Sequence, residues 1–305
     1  MGRYLLRRLA FALITLFAVV TVTFFLARAA PGGPFDGERR LPPEVEANLR
    51  AAYDLDKPVV HQYARYLGML GRGDLGPSFR HKDFSVNELI GRGLPISVTI
   101  GGLALALAVV VGVTAGTFAA TARDRARDRL LVTAATLGLA LPPIIVAPLL
   151  VLVFAVGLGW FPAGGYDTAR SYVLPVIALS LPYAAAFTRL SRGSVAEVLG
   201  RPHVLTARSK GMPTWRIVHR HVLPSALIPV VSFLGPAAAA LLAGSMVIEE
   251  VFSLPGLGRY FVQGALNRDY TLVTGTVIVY AALVLTFNLL ADLCYARLDP
   301  RIRHA

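Results

Sequence analysis

The chain has 305 residues, 55% of them hydrophobic and only 16% charged, with a formal net charge of +12. Ordinary globular chains are about one quarter charged, so the composition excludes an ordinary soluble domain. The single cysteine, Cys294, excludes an internal disulfide and a cysteine-based zinc site, and in its apolar run it reads as a small buried hydrophobe.

A membrane-crossing helix needs about 20 mostly apolar residues. Six runs qualify in chain order: Leu9–Ala27, Leu94–Ala120, Leu130–Val156, the shorter Tyr172–Phe187, Ala226–Ile248 and Leu272–Leu293. None has a charged residue at its middle, and none alternates with the period of a strand. The first run follows Arg3, Arg7 and Arg8 and ends in Ala27-Arg28-Ala29, a pattern that also fits a cleaved signal. Its apolar stretch exceeds the roughly 7–15 residues of a signal core, so it is expected to remain as an anchor.

The charge excess is unevenly placed. Residues 1–8, 121–129, 189–221 and 292–305 together hold 17 basic and 5 acidic residues, which accounts for the whole net charge. These segments are every second one of the stretches that flank the apolar runs. The positive-inside rule puts them, and hence both chain ends, in the cytoplasm. Nucleic acid is thereby excluded as a partner, because the basic residues are spread over four loops as topology signals.

The loop over residues 29–93 then lies outside. Pro42-Pro43-Glu44 predicts a helix running to Tyr53, and Val59–Met69 predicts another after Pro58. Gly71, Gly73 and Gly76 around Asp74 read as turns. The spans carry Pro142, Pro143, Pro148, Pro175, Pro182, Pro229 and Pro236. Each removes a backbone donor and predicts a kink. The set reads equally as a deformable pathway lining or as ordinary irregular packing. Gly112 and Gly116 form a G-x-x-x-G, which plain close packing of helices explains.

Catalytic chemistry is not written in the chain. No G-x-x-x-x-G-K-[ST] phosphate loop occurs, no His/Glu cluster has zinc spacing, and no histidine lies within a span. Asp292 near Arg297 reads as an interfacial ion pair. Uphill transport, if the chain takes part in it, needs energy from a partner. The segment placed to receive it is Val204–Pro224. Val204–Lys210 predicts a short helix ended by Gly211. Pro213 suits the first turn of a second helix, with Pro224 past its end. Ala207 and Gly211, four apart, share a face with little bulk, flanked by Arg208, Lys210, Arg216 and Arg220. From the residues alone this face fits a protein groove or an anionic lipid surface equally.

The same segment resembles the cytoplasmic docking loop of ABC importer permeases, E-A-A-x3-G-x9-I-x-L-P. Ala207, Gly211, Leu223 and Pro224 match, while Leu205, Thr206 and His221 depart from it. The departures resemble the dipeptide/oligopeptide/nickel branch, as Thr206-Ala207-Arg208-Ser209-Lys210-Gly211 does. Further matches follow in order: Pro31-Gly32-Gly33-Pro34, Leu55–Pro58, Gly73–Gly76, Leu141–Pro143, Leu158–Pro162, Glu249–Gly258 and Asn288–Arg301.

The resemblance implies an all-α polytopic membrane protein of the type I importer fold, with six transmembrane helices. Residues 1–28 would be the N-terminal tail and first helix, 29–93 an extracytoplasmic loop domain, and 94–305 a five-helix core with its docking loop at 189–224. It implies docking of ATPase subunits on Thr206, Ala207, Arg208, Lys210, Gly211, Leu223 and Pro224. The partners implied are a second homologous permease, two cytoplasmic ATPase subunits holding ATP and Mg, and an extracytoplasmic substrate-binding protein, all in a bacterial or archaeal cytoplasmic membrane. No cofactor, metal or catalytic residue is expected in this chain. Glu249, Glu250, Phe252, Pro255, Gly256 and Gly258 are expected as an outer gate or binding-protein contact, or equally as a turn built on glycine and proline. Peptides are the common cargo of the branch. A passive channel, an ion-coupled transporter and an intramembrane protease using Ser194 or Ser245 stand as rivals.

Overall fold

In a computed structural model of the chain, the structure describes residues 2–29, 54–81, 83–122 and 125–298. The motif at 31–34, the helix predicted to end at Tyr53, and the side chains of Asp292, Cys294 and Arg297 lie outside the described residues. Within them the chain is helical, and its one β feature is an isolated bridge between Pro77 and Ser85.

The helices are α1 (Gly2–Ala29), α2 (Val59–Leu70), α3 (Val86–Thr121), α4 (Ala126–Ala140), α5 (Pro143–Leu150), α6 (Val173–Leu199), α7 (Pro202–Ser209), α8 (Thr214–Ile217), α9 (Leu223–Ala226), α10 (Ile228–Val251), α11 (Leu257–Leu266) and α12 (Tyr270–Leu298). Five are long and apolar enough to cross a bilayer, and the α4–α5 pair makes a sixth if counted as one broken span. The chain is thus an all-helical membrane protein, as its apolar runs predict.

The third span differs from expectation. It is not one kinked helix but two, meeting at 101° across Leu141-Pro142. Two adjacent prolines remove two successive donors, and Leu141 is forced into an extended conformation (φ −91°, ψ 110°) before Pro142. Beyond Pro148, α5 widens into a π-helical turn over Val151–Gly157. Pro175 and Pro229 fall in the first turns of α6 and α10, where the missing N–H has no intrahelical partner to lose. The fourth span also runs further than its apolar stretch, carrying Arg189 and Arg192 on helix to Leu199.

The chain forms two compact units. One comprises residues 98–254 and 283–298. Here α6 packs against α4, α5 and α10. The G-x-x-x-G of α3 lies flat on α6: a Cβ at Gly112 would stand 2.3 Å from Phe187 Cβ, and one at Gly116 would stand 2.5 Å from Thr188 O. Without a hydrophobic driving force between helices in lipid, such close backbone approach supplies the association.

The other unit comprises residues 2–97 and 255–282. The end of α1 packs on α2 through Val20, Phe24 and Tyr66, with Ile278. Helix α2 stops as the glycines predict: Gly73 and Gly76 take φ +76° and +90°. Helix α3 opens with a capping box, in which Glu88 Oε2 accepts from Ser85 N (2.8 Å) and Ser85 Oγ accepts from Glu88 N (3.3 Å). Most side chains on α1, among them Leu6, Phe11, Leu13, Ile14 and Phe17, remain exposed, as a lipid-facing helix requires.

Candidate functional site

The docking segment is a helical staircase built on the inner end of α6. Pro202 occupies the first position of α7, where its missing donor costs nothing. The helix ends in a Schellman motif: Gly211 sits at φ +75°, Gly211 N donates to Arg208 O (2.9 Å), and Met212 N reaches Ala207 O (3.3 Å). Nothing lies within 4 Å of a Cβ built on Gly211, so its conformation, not crowding, demands glycine. Gly211→Asn should therefore be tolerated. Gly211→Val should cost about 1–2 kcal/mol, the left-handed penalty for a residue with a Cβ, read as a lowered melting temperature in detergent.

Pro213 precedes α8 as its N-cap rather than standing within its first turn. The second helix also does not end before Pro224. The chain passes through a π-helical turn at Val218–Val222 into α9, with Pro224 in the first turn of α9. The wider turn lets the chain pass a proline whose ring would meet the carbonyl four residues back in an α-helix.

The two residues expected to share the offered face differ in exposure: Ala207 is buried and Gly211 is exposed. Ala207 is only 5% exposed and packs with Ala120, Val195, Val198, Val204, Ile217, Val222 and Ala226, with Met212 and Leu223 against them. The small side chain at 207 thus seats α7 on its own chain. Thr206, Arg208, Lys210, Gly211 and Pro224 are exposed. Beside them stand two large apolar side chains, Leu205 at 50% and Trp215 at 64% exposure. The Arg216 guanidinium lies 5.3 Å from the Trp215 ring centroid. An exposed tryptophan with arginine is the composition of an interface anchor. Leu205 stands where the docking pattern has glutamate, a departure that was itself the signal.

A second feature escaped sequence reading. Arg192 on α6 grips Asp128 in the first turn of α4 with two hydrogen bonds, Nε to Oδ1 at 2.6 Å and Nη2 to Oδ2 at 2.7 Å. Asp128 is buried. Both residues read as topology charges because they lie 64 positions apart in separate loops. The pair ties α4 to the helix that carries the docking segment. Removing one partner of a buried pair costs about 3–5 kcal/mol; Arg192 is one-third exposed, so solvent screening brings Asp128→Ala nearer about 2 kcal/mol. Thermal denaturation of the purified variant measures it.

The expected outer gate falls in two places. Glu249 and Phe252 are buried. Glu249 accepts from Ser245 Oγ at 2.9 Å, and Phe252 O accepts from Gly165 N at 3.1 Å. The end of α10 is another Schellman turn, with Ser253 at φ +53° and Leu254 N donating to Glu249 O (2.8 Å). Glu250 is exposed. In the other unit Gly256 is the N-cap of α11, Gly256 and Gly258 are buried, and Pro255 is half-buried. Leu257 N donates to Ser97 Oγ at 2.8 Å, satisfying a first-turn donor of α11. Of these six positions, Glu250 alone is exposed. The described residues hold no group of three or more His, Cys, Asp or Glu placed to bind a metal ion.

Comparison with known proteins gives this arrangement a context. The family model described as "Binding-protein-dependent transport system inner membrane component" matches residues 112–304. That described as "Binding-prot-dependent transport system membrane comp, N-term" matches residues 1–101. The chain is 48% identical over 306 residues to the oligopeptide transport system permease protein OppB of Haemophilus influenzae, with all of both chains covered. It is 39% identical over 303 residues to the dipeptide transport system permease protein DppB of Bacillus subtilis, covering 99% of this chain and 98% of that one. A solved structure of the MetNI methionine ABC transporter in inward-facing conformations aligns with a TM-score of 0.60 at 18% identity, over 69% of this chain and 96% of that one, which shows a shared fold. The chain belongs to the inner membrane components of binding-protein-dependent transport systems.

Proposed function

We propose that the chain is one of two permease subunits of an ATP-driven importer of short peptides. Full-length identity to oligopeptide and dipeptide permeases supports the cargo. The observation that carries the coupling is the cluster seating α7, α8 and α9 on α6. Close-packed interiors transmit displacement rather than absorb it. A push on Leu205, Trp215 and the exposed Thr206, Arg208 and Lys210 therefore moves α6, and through Arg192–Asp128 it moves α4.

In this reading both chain ends and the docking segment face the cytoplasm, where two ATPase subunits supply ATP and Mg. A second, related permease forms the other half of the pathway, and an extracytoplasmic binding protein delivers the peptide. Ala207 and Gly211 shape the docking helix, Leu223 and Pro224 join it to α10, and the exposed side chains make the contact. The Glu249–Gly258 turn lies at the outer side, with Glu250 as its exposed acidic residue facing a binding protein. Glu250→Lys is accordingly expected to weaken binding-protein-stimulated ATP hydrolysis several-fold while leaving basal hydrolysis unchanged. An unaltered stimulation removes Glu250 from that contact.

The reading is tested by uptake in proteoliposomes. The chain, reconstituted with its partner permease, ATPases and binding protein, should accumulate labelled tri- to pentapeptides only with ATP. Accumulation driven by an ion gradient in the absence of the ATPases would instead establish a secondary transporter. Nickel or glutathione competing where peptides do not would change the cargo.

A further inference from the structure

The unit of residues 2–97 and 255–282 contains a cavity of about 120 Å³, lined on its polar side by Arg28, Asp54, Gln62, Arg65, Tyr66 and Thr271. Among the described lining residues the two arginines outnumber the one carboxylate. The Asp54 carboxylate is held by Lys57 at 2.7 Å and by Arg65. Two cations thus already meet the one carboxylate among the described lining residues. Arg28 adds a further positive charge, its Nε donating to Gln62 Oε1 at 2.9 Å and its guanidinium lying 3.5 Å over the Phe24 ring. Thr271 spends its hydroxyl hydrogen within the protein, on Pro77 O and Asp269.

Tyr66 is different. Its side chain is 97% buried in effect, being 3% exposed, and its hydroxyl has no hydrogen-bond partner among the described residues. Burial pushes its phenol pKa up, so at neutral pH it is a proton donor. A buried donor without an acceptor is costly in a finished protein and marks a place where a ligand completes the structure. The ligand that fits a surplus of cationic and hydroxyl donors is an oxyanion.

The position narrows the class. Arg28 stands in the last turn of α1, one turn beyond a lipid-sized face on which Val22, Phe25 and Leu26 are exposed. The end of such a helix stands at the headgroup level of the bilayer. The oxyanions concentrated at that level are the phosphates of phospholipid headgroups. We propose that this cavity binds the phosphate of a phospholipid headgroup, with Arg28 and Tyr66 as its donors and the acyl chains along the exposed face of α1. The site depends on the membrane placement of α1 and not on the peptide reading, and its test reads lipid, not transport.

The test uses the full-length chain purified in detergent, titrated with a phosphatidylglycerol–phosphatidylethanolamine mixture and followed by native mass spectrometry. Tyr66→Phe deletes the donor without removing any protein hydrogen bond of the described residues. It should lower the affinity of the tightest-held lipid about tenfold, as loss of a hydrogen bond to a charged group does. Arg28→Gln should do the same or more. The lipid-free melting temperature of Tyr66→Phe should equal or exceed that of wild type, since the lipid-free chain carries the unsatisfied hydroxyl. Lipid retention by Tyr66→Phe equal to that of wild type overturns the proposal. So does stabilisation of the lipid-free chain by millimolar inorganic phosphate, lost in Tyr66→Phe, with lipid binding unchanged, since that assigns the cavity to free phosphate.

Discussion

Gly116→Val should leave the chain unable to form its α3–α6 contact and so unable to reach a monodisperse folded state. A Cβ at this position would lie 2.5 Å from Thr188 O, 2.7 Å from Ser191 Cβ and 2.9 Å from Arg192 N. Two of these atoms are backbone and cannot rotate away. Overpacking a well-fitted interior costs about 1–3 kcal/mol, and more where a backbone must shift. Here the helix that must shift also carries Arg192 and the docking segment, so the damage spreads to coupling. Gly102→Val, in the same helix with nothing within 4 Å of its Cβ, is the control and should fold. Fluorescence-detected gel filtration of tagged variants decides the matter: a monodisperse Gly116→Val peak would show that α3 and α6 are not held by this approach.

The second large effect is expected at Asp269. This buried carboxylate accepts from Ser78 Oγ at 2.5 Å, Phe79 N at 3.0 Å and Arg80 N at 3.3 Å through Oδ2. Its Oδ1 accepts from Thr271 Oγ1 at 3.0 Å and Leu272 N at 3.1 Å. It therefore caps α12 and pins the 78–80 segment in one stroke. Asp269→Ala strands several donors at once, each costing about 1–3 kcal/mol when left unsatisfied. A loss of about 3 kcal/mol or more follows, since the neighbours relax and the terms do not add. Asp269→Asn keeps one carbonyl oxygen and should lose less. Limited proteolysis reads the result, as new cleavage between residues 54 and 81. Protection equal to wild type would contradict the role assigned to the carboxylate.

What the sequence made legible is set by period and length. Runs of about 20 apolar residues can satisfy their backbone in lipid only as helices, so five spans and the short α2 stand where the runs put them, and Gly211 ends α7 where its lack of a Cβ allows. What it did not make legible is which face looks inward and which residues meet across long separations. Ala207 and Gly211 share a helical face by spacing, yet Ala207 is buried in one cluster with Val195, Val204 and Ile217. Pro142-Pro143 predicts a kink, but the size of the turn depends on how α5 repacks against α6. Asp128 and Arg192 have no local relation. Asp269 carried a readable cue, an aspartate three residues before Leu272 in the position of an N-cap, but its contacts to Ser78, Phe79 and Arg80 are tertiary.

The α7–α8 surface, in the function proposed, joins this chain to an ATPase. Its most direct test is affinity co-purification of the tagged permease with its ATPase partners, for wild type, Trp215→Glu, Leu205→Glu and Gly211→Asn. All three substitutions fall on exposed positions, so the chain should remain folded throughout. Wild type and Gly211→Asn should bring the ATPases down, while a charge at 205 or 215 should reduce their yield at least tenfold and abolish peptide-stimulated ATP hydrolysis. Full ATPase recovery with Trp215→Glu and Leu205→Glu would contradict that role, and would leave that exposed surface to the membrane rather than to a motor.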